Sequence, residues 1–296
     1  MNHPEMIPLL LPEEQRPRVL KTIGAKILRP IIVDNPENTG VLNNVLQMGV
    51  VNLSTPEPVE NEQVPGALFT PLGLAIGGAP EVHLGIVETL LRAGSSPDEI
   101  ARFPPQYVTR IGETALMVAI EKGREDLVQL LLTYGANVNR ETYLCIKRTP
   151  LQHAAELGDL GMVRLLLRNG ADANGKPATR SGGTALQFAA ISGNCNIAAE
   201  LLNHEARLDA LPSRVNGRWP LEGAAEHGRL DMIQFLWRAK GLSCKDAGFE
   251  ERHCLRAMRF ARENGHIGCG DLIAELSGIA AERLDGDDYG AKWLAY

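Results

Sequence analysis

Apolar residues in this chain recur with helical spacing in pairs of short segments, and the pairs repeat. Gly112–Asn139, Arg148–Asn174, Gly183–Ala210 and Arg218–Cys244 carry one pattern: a capping residue, an apolar first helix with small residues, a short turn, and an apolar second helix ending at a polar stop. The capping positions are Thr114, Thr149, Thr184 and Trp219, a period of 35 residues each time. Self-similarity at this length predicts a solenoid whose units bury their apolar faces only against neighbours. Such a chain presents a long surface; it is not organised around a pocket.

One unit shows the local physics. In Thr149-Pro150-Leu151-Gln152-His153-Ala154-Ala155 the threonine caps a helix and proline suits its first turn, while the alanine pair permits close helix approach. Gly158 stands where a glycine ends the first helix. Met162, Val163, Leu165, Leu166 and Leu167 form the apolar face of the second. Asn169-Gly170-Ala171-Asp172 then stops it and opens an extended finger.

This wording, TPLxxAAxxGxxxxVxxLLLxxGADxN, resembles the ankyrin repeat. The resemblance is strong over 112–244 and looser over 70–98 and 252–276. It implies an all-α ankyrin-repeat solenoid of about six repeats, near 70–98, 112–139, 148–174, 183–210, 218–244 and 252–276, with degenerate ends. The array then spans 70–276, after a proline-rich extension over 1–69 and before a C-terminal tail over 277–296. The resemblance further implies a scaffold that binds other proteins through its fingers and concave first-helix face, with no catalytic residues. NGRWPLEGAAEHGRLDMIQFLW is also similar to the ankyrin dialect abundant in filamentous fungi, which leaves open an accessory role in a fungal metabolic pathway.

The ends depart from the pattern. Thr70-Pro71-Leu72-Gly73-Leu74-Ala75 opens a first repeat whose inter-helix turn is three residues longer, through Gly77-Gly78-Ala79-Pro80. Thr70 to Thr114 is 44 residues, so its finger carries six more. Leu255–His266 reads as a polar closing repeat. Nine of the 18 prolines fall in the first 65 residues, and Val41–Val51 has the makings of a worn helix on the first repeat.

Single positions depart too. Three residues after the cap, where the family uses a histidine to link neighbouring loops, stand Gly73, Met117, Gln152, Gln187 and Glu222, which leaves that linkage without its usual side chain. Glu205 and Lys240 replace glycines that end second helices, each at a cost of roughly 1 kcal/mol if φ is positive. Trp219 cannot cap; it either packs on the preceding finger or meets a partner.

Composition narrows the setting. Of 296 residues, 44% are hydrophobic and 22% charged, as in a soluble folded protein. No apolar run is long enough for a membrane span, and Met1–Pro17 lacks a secretory pattern. Five cysteines at no framework spacing fit free thiols, so cytoplasm or nucleus is the expected location. The net charge of −6 argues against nucleic acid as partner, and a monomer is expected.

Chemical motifs are few. Gly170–Lys176 satisfies GxxxxGK, but proline follows where a phosphate loop needs Ser or Thr, and a helix precedes it where a strand is required. His253, Cys254, His266 and Cys269, with Cys244 upstream, lack the tight pairs of a structural zinc site. Asp285–Asp288 lacks the ligands of a calcium loop. No enzyme, cofactor or metal site is expected.

Three surfaces remain as candidates. The lengthened first finger holds Phe103-Pro104-Pro105-Gln106-Tyr107, in which Pro104, Pro105 and Tyr107 match the PPxY ligand of WW domains. It is either a stiff finger folded on the array or an adaptor motif for a HECT-type ubiquitin ligase. Arg110, Arg140, Lys147, Arg148, Lys176, Arg180, Arg214, Arg218 and Lys245 all fall in fingers, and stacking would align them as a basic rim suited to an acidic segment. Arg140, Arg148, Arg180, Arg214, Arg218 and Trp219 are the finger contacts expected. On the first-helix face Met117, Val118, Glu121, Gln152, His153 and Glu156 are expected to meet a partner, as are Gln187, Phe188, Ile191, Glu222, Glu226 and His227. The tail places Tyr289, Trp293 and Tyr296 near Asp285, Asp287 and Asp288, able to dock on that rim in cis or to serve another protein.

Overall fold

The computed structural model describes residues 28–34, 36–37, 39–47, 53–54, 57–58, 68–78, 81–103, 113–142, 147–239 and 249–280. The chain divides into two compact units, Met1–Asn137 with Leu144–Ile146, and Val138–Tyr143 with Lys147–Tyr296.

The first unit opens with a π-helical turn, Pro30–Asp34, and helix α1, Thr39–Gln47. Leu42 and Val45 are buried, and α1 packs on α3, Leu84–Arg92. Thr70 caps α2, Pro71–Gly73, accepting from the Gly73 amide at 3.2 Å. The chain then winds as a π-helix through Leu74–Gly78, a wider turn that takes up part of this repeat's insertion. Thr114 caps α4, Ala115–Glu121, which packs on α5, Glu125–Thr133. Phe69, Leu72, Ile76, Ile86, Leu90, Leu116, Ile120 and Leu131 make the core.

One feature lies outside an all-helical solenoid. Strands β1 (Glu57–Pro58), β2 (Leu68–Phe69), β3 (Ile100–Phe103) and β4 (Glu113–Thr114) form an antiparallel sheet in that order. The long first finger begins and ends as β3 and β4, and β2 adds the chain just before Thr70. Gly73 is explained here: a Cβ at this position would overlap the Ala101 carbonyl, which accepts from the Thr70 amide at 3.1 Å.

The second unit stacks four helix pairs: α6 (Pro150–Leu157) with α7 (Leu160–Arg168), α8 (Ala185–Ser192) with α9 (Cys195–Asn203), α10 (Pro220–Glu226) with α11 (Leu230–Ala239), and α12 (Glu251–Glu263) with α13 (Ile267–Ser277). Thr149 and Thr184 form reciprocal capping boxes. Each hydroxyl accepts from a glutamine amide N–H at 3.3 Å, and the Gln152 and Gln187 side chains accept from the threonine amides at 3.0 Å. Leu151, Met162, Leu166, Leu186, Ile197, Leu201, Leu221, Met232, Leu236, Met258 and Ile273 fill the core between small alanines. Its helices end as the sequence predicts, with Gly158 at φ 79° and Gly170 at φ 84°.

The turns between paired helices interlock. Gly158, Gly193 and Gly228 all have positive φ, and over them lie Asn194, Arg229 and His266 of the following unit. Arg229 Nε donates to the Ile191 carbonyl at 3.1 Å. Asparagines tie the starts of the fingers. Asn139 Oδ1 accepts from the Asp172 amide at 2.7 Å, and Asn174 Oδ1 from the Arg207 amide at 2.9 Å. Their Nδ2 groups donate to the Gly170 and Glu205 carbonyls, both at 2.9 Å. Glu205 has φ 63°, the strained conformation expected for a non-glycine stop; Lys240 lies outside the described residues.

Candidate protein-recognition surface

The residue three past the cap has an internal task in the second unit. Gln152 Nε2 donates to the Gly175 carbonyl at 2.8 Å and to that of Lys176 at 3.1 Å; Gln187 Nε2 reaches Ala210 at 2.9 Å. Each glutamine therefore binds the base of the finger that follows its own helix pair. The loop linkage that the missing histidines put in question is made by glutamine, whose amide both accepts at the cap and donates to the finger. Glu222 serves differently. Its Oε2 accepts from the Trp219 amide at 3.3 Å, and its Oε1 lies 3.0 Å from His253 Nδ1 and 3.3 Å from Arg256 Nε. A fully buried carboxylate is thus held by two basic side chains of the next unit.

This corrects part of the expected contact surface. Val118, Gln152, Gln187 and Glu222 are 0–1% exposed, and Met117 and Phe188 are 5% exposed, so they have almost no area to offer. Trp219 is buried too. Its ring meets His253 at a centroid separation of 4.7 Å, so it packs forward on the next unit, and neither on a partner nor as a cap. Glu121, Glu156 and His227 are exposed, and His153, Ile191 and Glu226 are half-buried.

The finger arginines fall into two sets. Arg148 pairs with both oxygens of Glu156 at 2.8 and 2.9 Å and stacks over Phe188 of the next unit at 4.2 Å. Arg218 does the same with Glu226 at 2.7 and 3.1 Å and with Phe260 at 4.2 Å. These two arginines are clamps between units, neutralised and shielded, which corrects their reading as rim charges. Arg207 is likewise paired, with Asp209 at 2.9 Å. Among the described residues no side-chain ion pair engages Arg140, Lys147, Lys176, Arg180 or Arg214.

Two adjacent fingers are joined in register. Arg180 and Val215 form a single parallel bridge: the Ser181 amide donates to the Val215 carbonyl at 2.9 Å, and the Val215 amide to that of Thr179 at 3.2 Å. Ser213 Oγ adds a bond to Thr179 at 2.7 Å. Ser181 and Asn216 both adopt left-handed backbone, and the glycines after them pack against their own loops. The bridge sets Arg180 opposite Val215; Arg180 and Arg214 are both exposed, as are Leu211 (75%) and Val215 (37%) on the second of these fingers.

Other motifs find plain places. Gly170 ends α7 and Lys176 lies in a finger, so the GxxxxGK run has no strand before it and no helix at its lysine. His253 faces Glu222, Cys254 Sγ donates to the Phe249 carbonyl at 3.4 Å, and Cys269 is buried. Among the described residues no three His, Cys, Asp or Glu side chains are placed to hold a metal ion, and no helix is long and apolar enough to cross a membrane. Pro104, Pro105 and Tyr107 lie outside the described residues, as do Arg110, Lys245 and the tail beyond Ala280.

A family model of ankyrin repeats matches residues 74–177 and 169–247, more than half of the chain, as three copies. The chain belongs to the ankyrin-repeat family. No curated protein matches it. Ankyrin repeats generally mediate protein–protein interaction.

Proposed function

We propose that this ankyrin array is a protein-recognition module whose contact surface is the finger row of its second unit. Arg140, Lys147, Lys176, Arg180 and Arg214 supply positive charge, and Leu211 and Val215 supply apolar area among them. The observation that carries the reading is the division of the finger arginines. Arg148, Arg207 and Arg218 have carboxylate partners, whereas Arg180 and Arg214, on two bridged fingers, are exposed and have no side-chain ion pair among the described residues. An acidic segment with an interspersed apolar side chain fits both features, and the charges would speed its encounter. Glu156, His153, Ile191, Glu226 and His227, on the first-helix faces of the same unit, are secondary contacts.

A displayed random-peptide library tests this directly. Peptides selected on the chain should be enriched in Asp and Glu, and Arg180→Glu/Arg214→Glu should weaken them at least about tenfold. Peptides of neutral composition that bind both proteins equally would move the site off the fingers. An adaptor role through Pro104, Pro105 and Tyr107 rests on the PPxY sequence; loss of WW-domain binding on Tyr107→Ala is its test.

A further inference from the structure

We propose that two copies of this chain associate along the turn edge of the second unit, with their repeats running in opposite directions. The edge is a row of apolar side chains. Leu160, Cys195, Leu230 and Ile267 are the first residues of the second helices α7, α9, α11 and α13. Asn194, Arg229 and His266, each just before one of these, lie on the turn glycines of the preceding unit, Gly158, Gly193 and Gly228. The four turns are therefore stacked in one line, roughly 10 Å apart. Exposure rises along it: Leu160 and Cys195 are half-buried, Leu230 is 46% exposed and Ile267 65%. Leu157, in the first of these turns, is 49% exposed, so three of the five large apolar side chains exposed among the described residues sit here. Burial, with the Asp231 carboxylate nearby, raises the Cys195 thiol above its usual range, so it counts as an apolar member. Apolar groups scattered singly over a surface need no account; a line of them does.

The polar groups beside the row select the occupant. The position before each apolar residue is Asp159, Asn194, Arg229 and His266, and the position after it is Gly161, Asn196, Asp231 and Gly268. Among the described residues neither Asp159 nor Arg229 is in an ion pair. The row thus has Asp159 at one end and Arg229 and His266 towards the other. A second copy turned end for end sets Leu160 against Ile267 and Cys195 against Leu230, so the less exposed members meet the more exposed. It also sets Asp159 opposite His266, Asn194 opposite Arg229, and the Asp231 carboxylate opposite the Asn196 amide. The two-fold axis passes between the second and third turns, and one patch serves both copies. A parallel pairing would set Asp159, Arg229 and Asp231 each against its own like, which repels. Helix α7 carries the chain from Leu160 at this edge to Arg168 at the finger, about 13 Å away, so the fingers of both copies stay open. The row is roughly 30 Å long and one turn wide, at the small end of interface sizes, so the dimer is weak, with a Kd on the order of 100 µM.

Sedimentation equilibrium of the full chain from about 10 µM to about 1 mM should show a monomer–dimer equilibrium. Leu230→Glu/Ile267→Glu should weaken it at least about tenfold, with the circular dichroism spectrum unchanged. Cysteines report the orientation. Leu160→Cys/Ile267→Cys, oxidised with copper phenanthroline, should give a covalent dimer whose peptide map joins position 160 to position 267. The two positions are three stacking steps apart in one chain, beyond the reach of an internal disulfide. Each single variant should give no such dimer, because neither position faces itself. A chain still monomeric at about 1 mM would overturn the inference and leave the row to a different protein. A dimer indifferent to Leu230→Glu/Ile267→Glu would place the contact elsewhere and overturn it too. Links of 160 to 160 or of 267 to 267 would overturn the antiparallel order.

Discussion

Glu222 Oε1 and His253 Nδ1 lie 3.0 Å apart between consecutive units, with both side chains buried. Arg256 and the Trp219 amide complete the carboxylate's partners. Removing the carboxylate leaves the Trp219 amide, the buried His253 ring and the Arg256 guanidinium without their shared acceptor, so Glu222→Ala should cost about 1–3 kcal/mol. Glu222→Gln should cost less, because glutamine at the same position of the two preceding repeats both accepts at the cap and donates to the base of its own finger. Urea melts of the three proteins check this; equal losses for alanine and glutamine would show that the charge itself is required.

Gln187 should matter through the finger it holds. Gln187→Ala removes the capping box at Thr184 and leaves the Ala210 carbonyl without its donor. The expected cost is about 1–3 kcal/mol, with amide hydrogen exchange rising at the base of that finger. A melt within error of wild type would mean that water replaces the glutamine without loss.

The backbone offers a substitution in the opposite direction. Glu205 ends α9 at φ 63°, and the adjacent Asn174 bond is made to its carbonyl, which a side-chain change leaves in place. Glu205→Gly should therefore stabilise the chain by about 1 kcal/mol, a rise in Tm of roughly 2–4 °C. Gly193→Ala is the converse: φ is 81° and Arg229 already lies against the site, so this change should destabilise.

Local features of this fold were legible in the sequence, and cross-unit ones were not. Threonine caps, the glycine stops at Gly158 and Gly170 and the helix pairs follow from residues near one another in the chain. Glu205 was legible for the same reason, as a non-glycine residue where the period puts a stop. The burial of Gln152, Gln187 and Glu222 depends on what the neighbouring unit lays over them, which a period cannot state. The arginine clamps were invisible for a related reason. Arg148 and Arg218 look like any finger charge until Glu156 and Glu226 come round one helix later, and Phe188 and Phe260 arrive from the next unit. Strands β1 to β4 had no such signal, being two to four residues long and spread across a proline-rich stretch.

The two sets of arginines make the sharpest contrast. Arg148 has a side chain 15% exposed, paired with a carboxylate that is itself 41% exposed. Solvent screening holds that pair to about 1 kcal/mol at most, and stacking on Phe188 adds about 0.5–1 kcal/mol. Arg148→Glu should therefore lower the melting temperature, through repulsion from Glu156 as well as the lost stack. Arg180→Glu/Arg214→Glu changes two exposed finger residues and should shift stability by no more than about 0.5 kcal/mol per site. The same double change should remove acidic-peptide binding and flatten its dependence on salt. Paired calorimetry and titration on the two variants separate the roles. Loss of stability in the Arg180/Arg214 variant would place those arginines among the structural clamps, and unchanged peptide binding would remove them from the recognition surface.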